Sequence, residues 1–461
     1  MPLYNEVNPD EPVPALWQGL APLLPEQVKP AQWTGPRWWW AGRLDVEGLA
    51  LGSLQALATA ISAEASHAGS ISRVTLTSAG VAAAFASFAH LRINGVAPVG
   101  FAPLSGFRRA ADGWVRLHAN YPHHEQALLK ALEVKNADDV DAALREIPAA
   151  AVEQSVTACG GLAAKVRTPA DWAASPPGQA LADEPWIRTS TVAVPGKEPR
   201  TADRSRGLLA GLRVLDLTRV IAGPSGSRIL GALGADVLRV DPPALPEIGH
   251  QHVDTGFDKR SAVADLRQPS ARVEVRSLLA EADVVLIAYR GGSLARFGLD
   301  PASLQEDFPG LAVVSLDAWG DTGPWAGRRG FDSIVQAATG ISDLYGTGPG
   351  EDWRPGALPV QALDHATGLG MAAAAVALVS ARRRGLSGSA HLSLARTALE
   401  LMHLPAPPPG VDPQALAVPL RGCRSGYGEL AYVPPPLIID GRQLEFHRPP
   451  QMYGASPLAW R

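Results

Sequence analysis

Short apolar runs alternate with polar, glycine-rich breaks through the second half of the chain. The sharpest case is GLRVLDLTRVIAGPSGSRILGALGADVLRVD over 211–241. Leu212–Leu217 has the branched and long apolar residues of a strand and no breaker. Thr218–Gly226 is rich in Gly, Pro and Ser and reads as a loop. Ser227–Leu233 reads as a helix with Ile229, Leu230 and Leu233 on one face; Gly234 ends it, and Ala235–Val240 is a second strand. Strand, loop, helix, strand predicts a right-handed βαβ unit of a parallel sheet. The alternation continues with strands at Ser261–Asp265, Asp283–Ala288 and Leu311–Leu316, and helices at Ser270–Ala282 and Pro301–Asp307. Five such strands predict a doubly wound parallel α/β sheet, Rossmann-like in layout. A long glycine-rich loop, WGDTGPWAGRRGFD, ends in Asp332, and Ser333–Ala338 starts a helix. Pro359–Asp364 then leads into the Ala-rich helix Ala366–Arg383.

The first half is patterned differently. Met1–Pro36 is Pro-rich and reads as an extended arm. Arg37–Trp40, RWWW, buries its rings against the body. Gly48–Ala63 and Val81–Leu91 read as helices, with a strand at Ser72–Thr77 between them. GFRRAADGWV carries an Asp-Gly turn between two extended runs, a hairpin signature. Helices at His124–Leu132, Asp138–Arg145 and Ala149–Ala158 and a strand in GGLAAKV complete a small α+β domain over 105–194. PGKEPRTADRSRG, 195–207, is polar without periodicity and is the best linker candidate. Gly52, Ala56, Ala58, Gly69, Leu76 and Ala79 match Gly368, Ala372, Ala374, Gly385, Leu392 and Ala395 without a gap, which points to an internal repeat.

A chain of 461 residues exceeds one ordinary core. A hydrophobic content of 46% with 19% charged residues describes a globular protein. A net charge of −4 gives no argument for nucleic acid or an anionic membrane, and the longest apolar run, Met371–Val379, is too short for a bilayer. The acidic, Pro-rich start is neither a signal nor a transit peptide. Two cysteines, Cys159 and Cys423, exclude a disulfide framework and a Cys-rich metal site, and fit a reducing cytoplasm. His123, His124 and Glu125 lack metal-ligand spacing and read as a solvated helix start. Arg382–Arg384 reads as a solvated helix end favoured by the helix dipole. AGPSGS is not a GxGxxG, although a glycine loop feeding a helix can cradle a phosphate.

VLDLTRVIAGPSGSRILGALGADVLRVDPP, DKRSAVADL, ADVVLIAYRGGSLARFGLD, GDTGPWAGRRGFDSIVQAATG and PVQALDHATGLGMAAAAVALVSARRRGLSGSAHLSLARTALE together resemble the class III CoA-transferase family, the L-carnitine dehydratase/bile-acid-inducible type. The resemblance implies a Rossmann-like CoA-binding and catalytic domain over 208–405. Upstream, GFRRAADGWVRLHA through ACGGLAAKVRTPADWAASPPGQAL resembles the family's small domain, which normally follows the CoA-binding half. The chain thus resembles two incomplete fused copies. An arm (1–36) and a partial large domain (37–104) precede the small domain, and a Pro-rich tail (406–461) closes the chain. No GGGG-type loop is present in either half.

The resemblance implies transfer of CoA between carboxylic acids, with acyl-CoA as substrate and no permanently bound cofactor or metal. It places the nucleophile at Asp364, since a carboxylate can attack a thioester and pass through an anhydride. No other carboxylate is placed to form that anhydride, and Asp45, in the first copy, stays outside the site. CoA contacts carry over to Ile221, Ala222, Ala264, Asp265, Leu266, Arg267, Ala288, Tyr289 and Arg290. Arg296 is a phosphate partner, because a guanidinium forks onto phosphate oxygens, and Arg328, Arg329 and Phe331 border the thioester channel. Pro242 occupies the family's usual adenine-partner position. Phe331 stands where racemases of the family carry a His, so a second proton-transferring base is absent and racemisation is disfavoured, although His365 adjoins Asp364. An acyl-CoA racemase and a degenerate CoA-binding or scaffold subunit are the alternatives. The implied assembly packs 37–104 against 364–404 about a pseudo-two-fold axis, and a homodimer of intertwined chains is compatible with it. Neither membrane nor nucleic acid is an expected partner.

Overall fold

The computed structural model describes residues 14–26, 28–40, 42–67, 73–195, 206–290, 292–408, 413 and 417–461. The linker candidate lies almost entirely outside them. A seven-stranded sheet forms the centre, in the order Lys259–Val263, Asp236–Asp241, Arg213–Leu217, Val284–Ile287, Ala312–Asp317, Leu386–Ser393, Arg188–Ala193. The first six strands are parallel, and the last pairs antiparallel at the edge. The order reverses direction between Arg213–Leu217 and Val284–Ile287, so a crevice opens at the carboxyl ends of these strands. AGPSGS is not loop: the helix runs Ala222–Ala232 and takes in those residues. They are small because the helix backbone there meets another helix. A Cβ at Gly226 would run into the Gly368 carbonyl, and one at Gly368 into that of Ala222.

The Ala-rich helix Ala362–Arg382 is wholly buried. The helix Val46–His67 packs along it on one side and the helix Ala222–Ala232 on the other. Both 46–66 and 362–382 are long and apolar enough to cross a bilayer by length and composition, but 89% and 100% of their residues are buried within the fold. The segments 46–85 and 362–403 each run helix, strand, helix, and they pack on one another. Arg382–Arg384 is not a solvated end. Arg382 reaches Asp283 at 2.8 Å, Arg383 pairs with Glu64, and Arg384 donates to the Leu23 carbonyl at 2.6 Å. Arg383 ties the second segment to the first, Arg382 ties it to the sheet and Arg384 to the N-terminal arm.

The N-terminal arm is built into the body. Leu16–Leu23 is a 3₁₀ helix with Leu16, Leu20 and Leu23 buried, and Gln32–Thr34 pairs with Val74–Thr77. Asp45 caps the helix after it, accepting from Gly48 N at 2.8 Å and pairing with Arg37 at 2.5 Å. The Pro-rich tail also contains strands. Leu437–Ile439 pairs with Val74–Thr77, and Gly428–Tyr432 pairs with Arg92–Ile93. Prolines punctuate these strands without excluding them, because each strand is short and lies beside an N-terminal edge. The hairpin Gly106–Ala110/Gly113–Leu117 carries Ala163–Lys165 as a third strand; helices Val140–Arg145 and Ala149–Ala158 pack on it, and Pro122–Ala131 packs on Ala149–Ala158.

Candidate active site

The crevice at the strand ends holds a cleft of about 440 Å³. Its base is set by a buried polar turn after the strand Arg213–Leu217. Asp216 accepts from Thr218 N at 3.0 Å, Ser227 Oγ at 2.6 Å and Lys259 Nζ at 3.2 Å. Burial pulls the Lys259 ammonium down to about 8 against the Asp216 charge. Val220, at φ 67°, is held in a conformation unfavourable for a β-branched residue. Its N–H donates to Glu247 Oε2 at 2.7 Å, which stabilises the turn. Burial opposes the Glu247 charge, but Arg239 and Arg219 hold the carboxyl down to about 2.

Asp364 lies at the inner end of the cleft, in the first turn of the helix Ala362–Arg382. It is inside the helix, not at its cap. Its carboxylate has no hydrogen bond or ion pair among the described residues, and it is only 6% exposed. Burial, and then the Asp332 charge, raises its pKa well above the usual carboxylate range. Asp332 is therefore a second carboxylate at the site, which the sequence motifs did not bring there. Its Oδ2 accepts from Asp364 N at 3.0 Å, and Gln336 donates to its other oxygen. Burial raises its pKa to about 6, with these hydrogen bonds opposing.

Of the expected CoA contacts, Ala222, Ala264, Asp265, Leu266, Arg267, Ala288, Tyr289, Arg290, Arg296, Arg328, Arg329 and Phe331 line the cleft with Asp364. Ile221 does not: it precedes the helix start and borders a smaller cavity on the other side of Asp364. Arg290 and Arg296 have no ion pair among the described residues. Arg267 is paired with Asp265 at 2.8 Å. Arg328 lines the cleft but is already neutralised: it meets Glu153 at 2.9 Å and donates to Thr157 Oγ1 at 3.2 Å. Arg329 holds the Gly160 carbonyl at 2.5 Å. These two arginines fasten the 105–194 segment over the cleft. Pro242 borders the cleft as well.

That segment contributes side chains that the sequence did not assign. Tyr121, His123 and His124 line the cleft, so His124 is not part of a solvated helix start; it is 4% exposed. His118 stacks on Phe331 with ring centroids 4.1 Å apart. An imidazole is therefore present beside Phe331, contributed from a distant part of the chain. Burial, and then the Arg116 charge, lowers its pKa to about 3. His365 turns away from the cleft and packs on Phe85 at 5.3 Å. Arg219 also lines the cleft, next to Glu247 at 3.8 Å. Its place in LTRVIAGP, one residue before the turn, was the available signal.

A doubly wound sheet, a long cleft at its switch point and an unpaired buried carboxylate at the inner end define a ligand-binding α/β enzyme-like fold. Residues 209–408 match the model of CoA-transferase family III. Succinate–glutarate CoA-transferase of Agrobacterium fabrum is 34% identical over 196 residues, 38% of this chain and 48% of that protein. A probable fatty acyl-CoA transferase of Mycobacterium tuberculosis is 33% identical over 190 residues, 38% of this chain and 47% of that protein. A crystal structure of the mycobacterial protein covers 42% of this chain and 55% of its own at 32% identity, with a TM-score of 0.39. The chain spans about half or less of the length of these curated relatives.

Proposed function

We propose that this protein moves CoA between carboxylic acids, with Asp364 as the nucleophile. The observation that carries the reading is the unpaired Asp364 carboxylate at the inner end of the cleft. Asp364 attacks the thioester carbonyl, giving a mixed anhydride and releasing CoA thiolate. The thiolate attacks the Asp364 carbonyl of that anhydride, forming an aspartyl-CoA thioester and freeing the donor acid. The acceptor carboxylate repeats both steps, leaving a new acyl-CoA and free Asp364. Asp332 holds the Asp364 backbone N–H and so fixes where the nucleophile stands. Arg290 and Arg296, with no ion pair among the described residues, line the cleft and are placed for CoA phosphates. Relatives named as CoA-transferases support this reading.

We further read 37–104 as a partial large domain and 105–194 as the small domain, in keeping with the two-copy pattern of the sequence. The test of function is intact-mass spectrometry of the full chain after incubation with a panel of acyl-CoAs. A covalent CoA adduct that maps to Asp364 and is absent from Asp364→Ala is expected. An adduct retained in that variant would overturn the assignment.

A further inference from the structure

The turn after the strand Arg213–Leu217 is strained, and a residue far away in sequence helps to hold it. Val220 has φ 67°, which its branched side chain disfavours. Strain of this kind persists only where the surroundings over-determine it. Here the holding group is the Glu247 carboxylate, whose side chain is fully buried. Its Oε2 accepts from Val220 N at 2.7 Å and from Arg239 Nη2 at 2.8 Å. Its Oε1 accepts from Ile248 N at 2.9 Å and from the Tyr121 hydroxyl at 2.5 Å. Val220, Arg239 and Ile248 all lie within the region matched by the family model; Tyr121 lies outside it, in the 105–194 segment. A donor to an ionised carboxylate makes a bond roughly twice as strong as a neutral pair. Residues on either side of Val220, Arg219 and Ala222, line the cleft. Arg219 takes its place from the same contacts. Its guanidinium lies 5.5 Å from the centroid of the Tyr121 ring, its Nε lies 3.8 Å from Glu247 Oε2, and its Nη2 donates to the Pro246 carbonyl at 3.2 Å. One tyrosine thus bears on a strained backbone and on a cation of the cleft.

We propose that Tyr121 is a positioning residue of the cleft: by donating to Glu247 it holds the Val220 turn, and with it Arg219 and Ala222, in the shape that binds CoA, so that CoA affinity depends on the docked 105–194 segment. The inference rests on the CoA-transfer reading. Without the hydroxyl, Glu247 Oε1 keeps only the neighbouring Ile248 N–H, and the carboxylate that fixes the turn loses its anchor to the docked segment. The turn then relaxes from its strained conformation and carries Arg219 out of place.

The experiment measures the affinity of the full chain for free CoA by isothermal titration calorimetry, in a cycle of Tyr121→Phe and Val220→Gly. Tyr121→Phe keeps the ring and removes only the hydroxyl. Glycine adopts a positive φ without strain, so in the Val220→Gly background the turn no longer needs the clamp. Tyr121→Phe is expected to weaken CoA binding about tenfold in the otherwise native chain and less than about threefold in the Val220→Gly background. A hydroxyl that touched CoA directly would give the same loss in both backgrounds, and one that served stability alone would give none in a folded chain. Either result would overturn the positioning role and leave the transferase reading standing. Should Tyr121→Phe not fold, the comparison of Val220→Gly with the double variant decides alone. A loss of about tenfold there, or a double variant that does not fold, overturns the role. Failure of CoA to bind the wild-type chain would overturn both readings.

Discussion

Asp364→Asn separates the energetic cost of the nucleophile from its chemistry. Among the described residues the Asp364 carboxylate makes no hydrogen bond that Asn would forfeit, and it is buried beside Asp332. Two like charges about 4 Å apart at an effective dielectric of about 20 repel by about 4 kcal/mol, so a repulsion of a few kcal/mol is the scale for adjacent buried carboxylates. The native state therefore holds a proton on this pair more tightly than the unfolded chain does. For a carboxyl raised in the native state, stability is unaffected below the unfolded value near 4. It falls as pH rises from there toward the raised native value. The penalty is almost absent at pH 4 and grows as pH rises toward 8. Asp364→Asn is thus expected to be more stable by about 3 kcal/mol at pH 8 and nearly equal at pH 4. Urea unfolding at the two pH values measures this, and intact-mass analysis should find no CoA adduct. A variant less stable than wild type at pH 8, or a difference independent of pH, would refute the coupling of the two carboxylates.

Arg290→Ala combined with Arg296→Ala is expected to raise KM for acyl-CoA about tenfold, with the gap narrowing in high salt, as for charge-assisted phosphate contacts; steady-state kinetics at two ionic strengths checks it. Glu153→Ala leaves Arg167 and Arg328 buried without their shared carboxylate. The expected loss is about 3–5 kcal/mol, seen in urea unfolding, with earlier proteolysis of the 105–194 segment. Gly368→Ala would push a methyl into the Ala222 carbonyl and force apart the two helices that carry the site. It should destabilise by about 3 kcal/mol or more and reduce adduct formation, measured by thermal unfolding and intact mass.

The sheet strands around 211–317 were legible because each is a short apolar run between breakers, and both faces of the sheet are covered. The same motifs located Asp364 and most of the cleft lining, since residues at strand ends of a doubly wound sheet converge at the switch point. Helix boundaries near AGPSGS were not legible: Gly, Pro and Ser there serve close helix packing, which local pattern reads as loop. Nor could sequence spacing bring Asp332 beside Asp364, or His118 onto Phe331. Asp332 is 32 residues from Asp364 along the chain, and only packing and a backbone hydrogen bond join them. Arg328 and Arg329 line the cleft as their motif implied, but only the fold shows that Arg328 also pairs with Glu153 and that Arg329 also holds the Gly160 carbonyl. The Pro-rich ends read as arm and tail, yet a strand from each pairs with opposite edges of Val74–Thr77. Local pattern fixes what an element is; which partner satisfies a charge, an edge or a buried carboxylate is a property of the three-dimensional neighbours, and only the tertiary structure decides it.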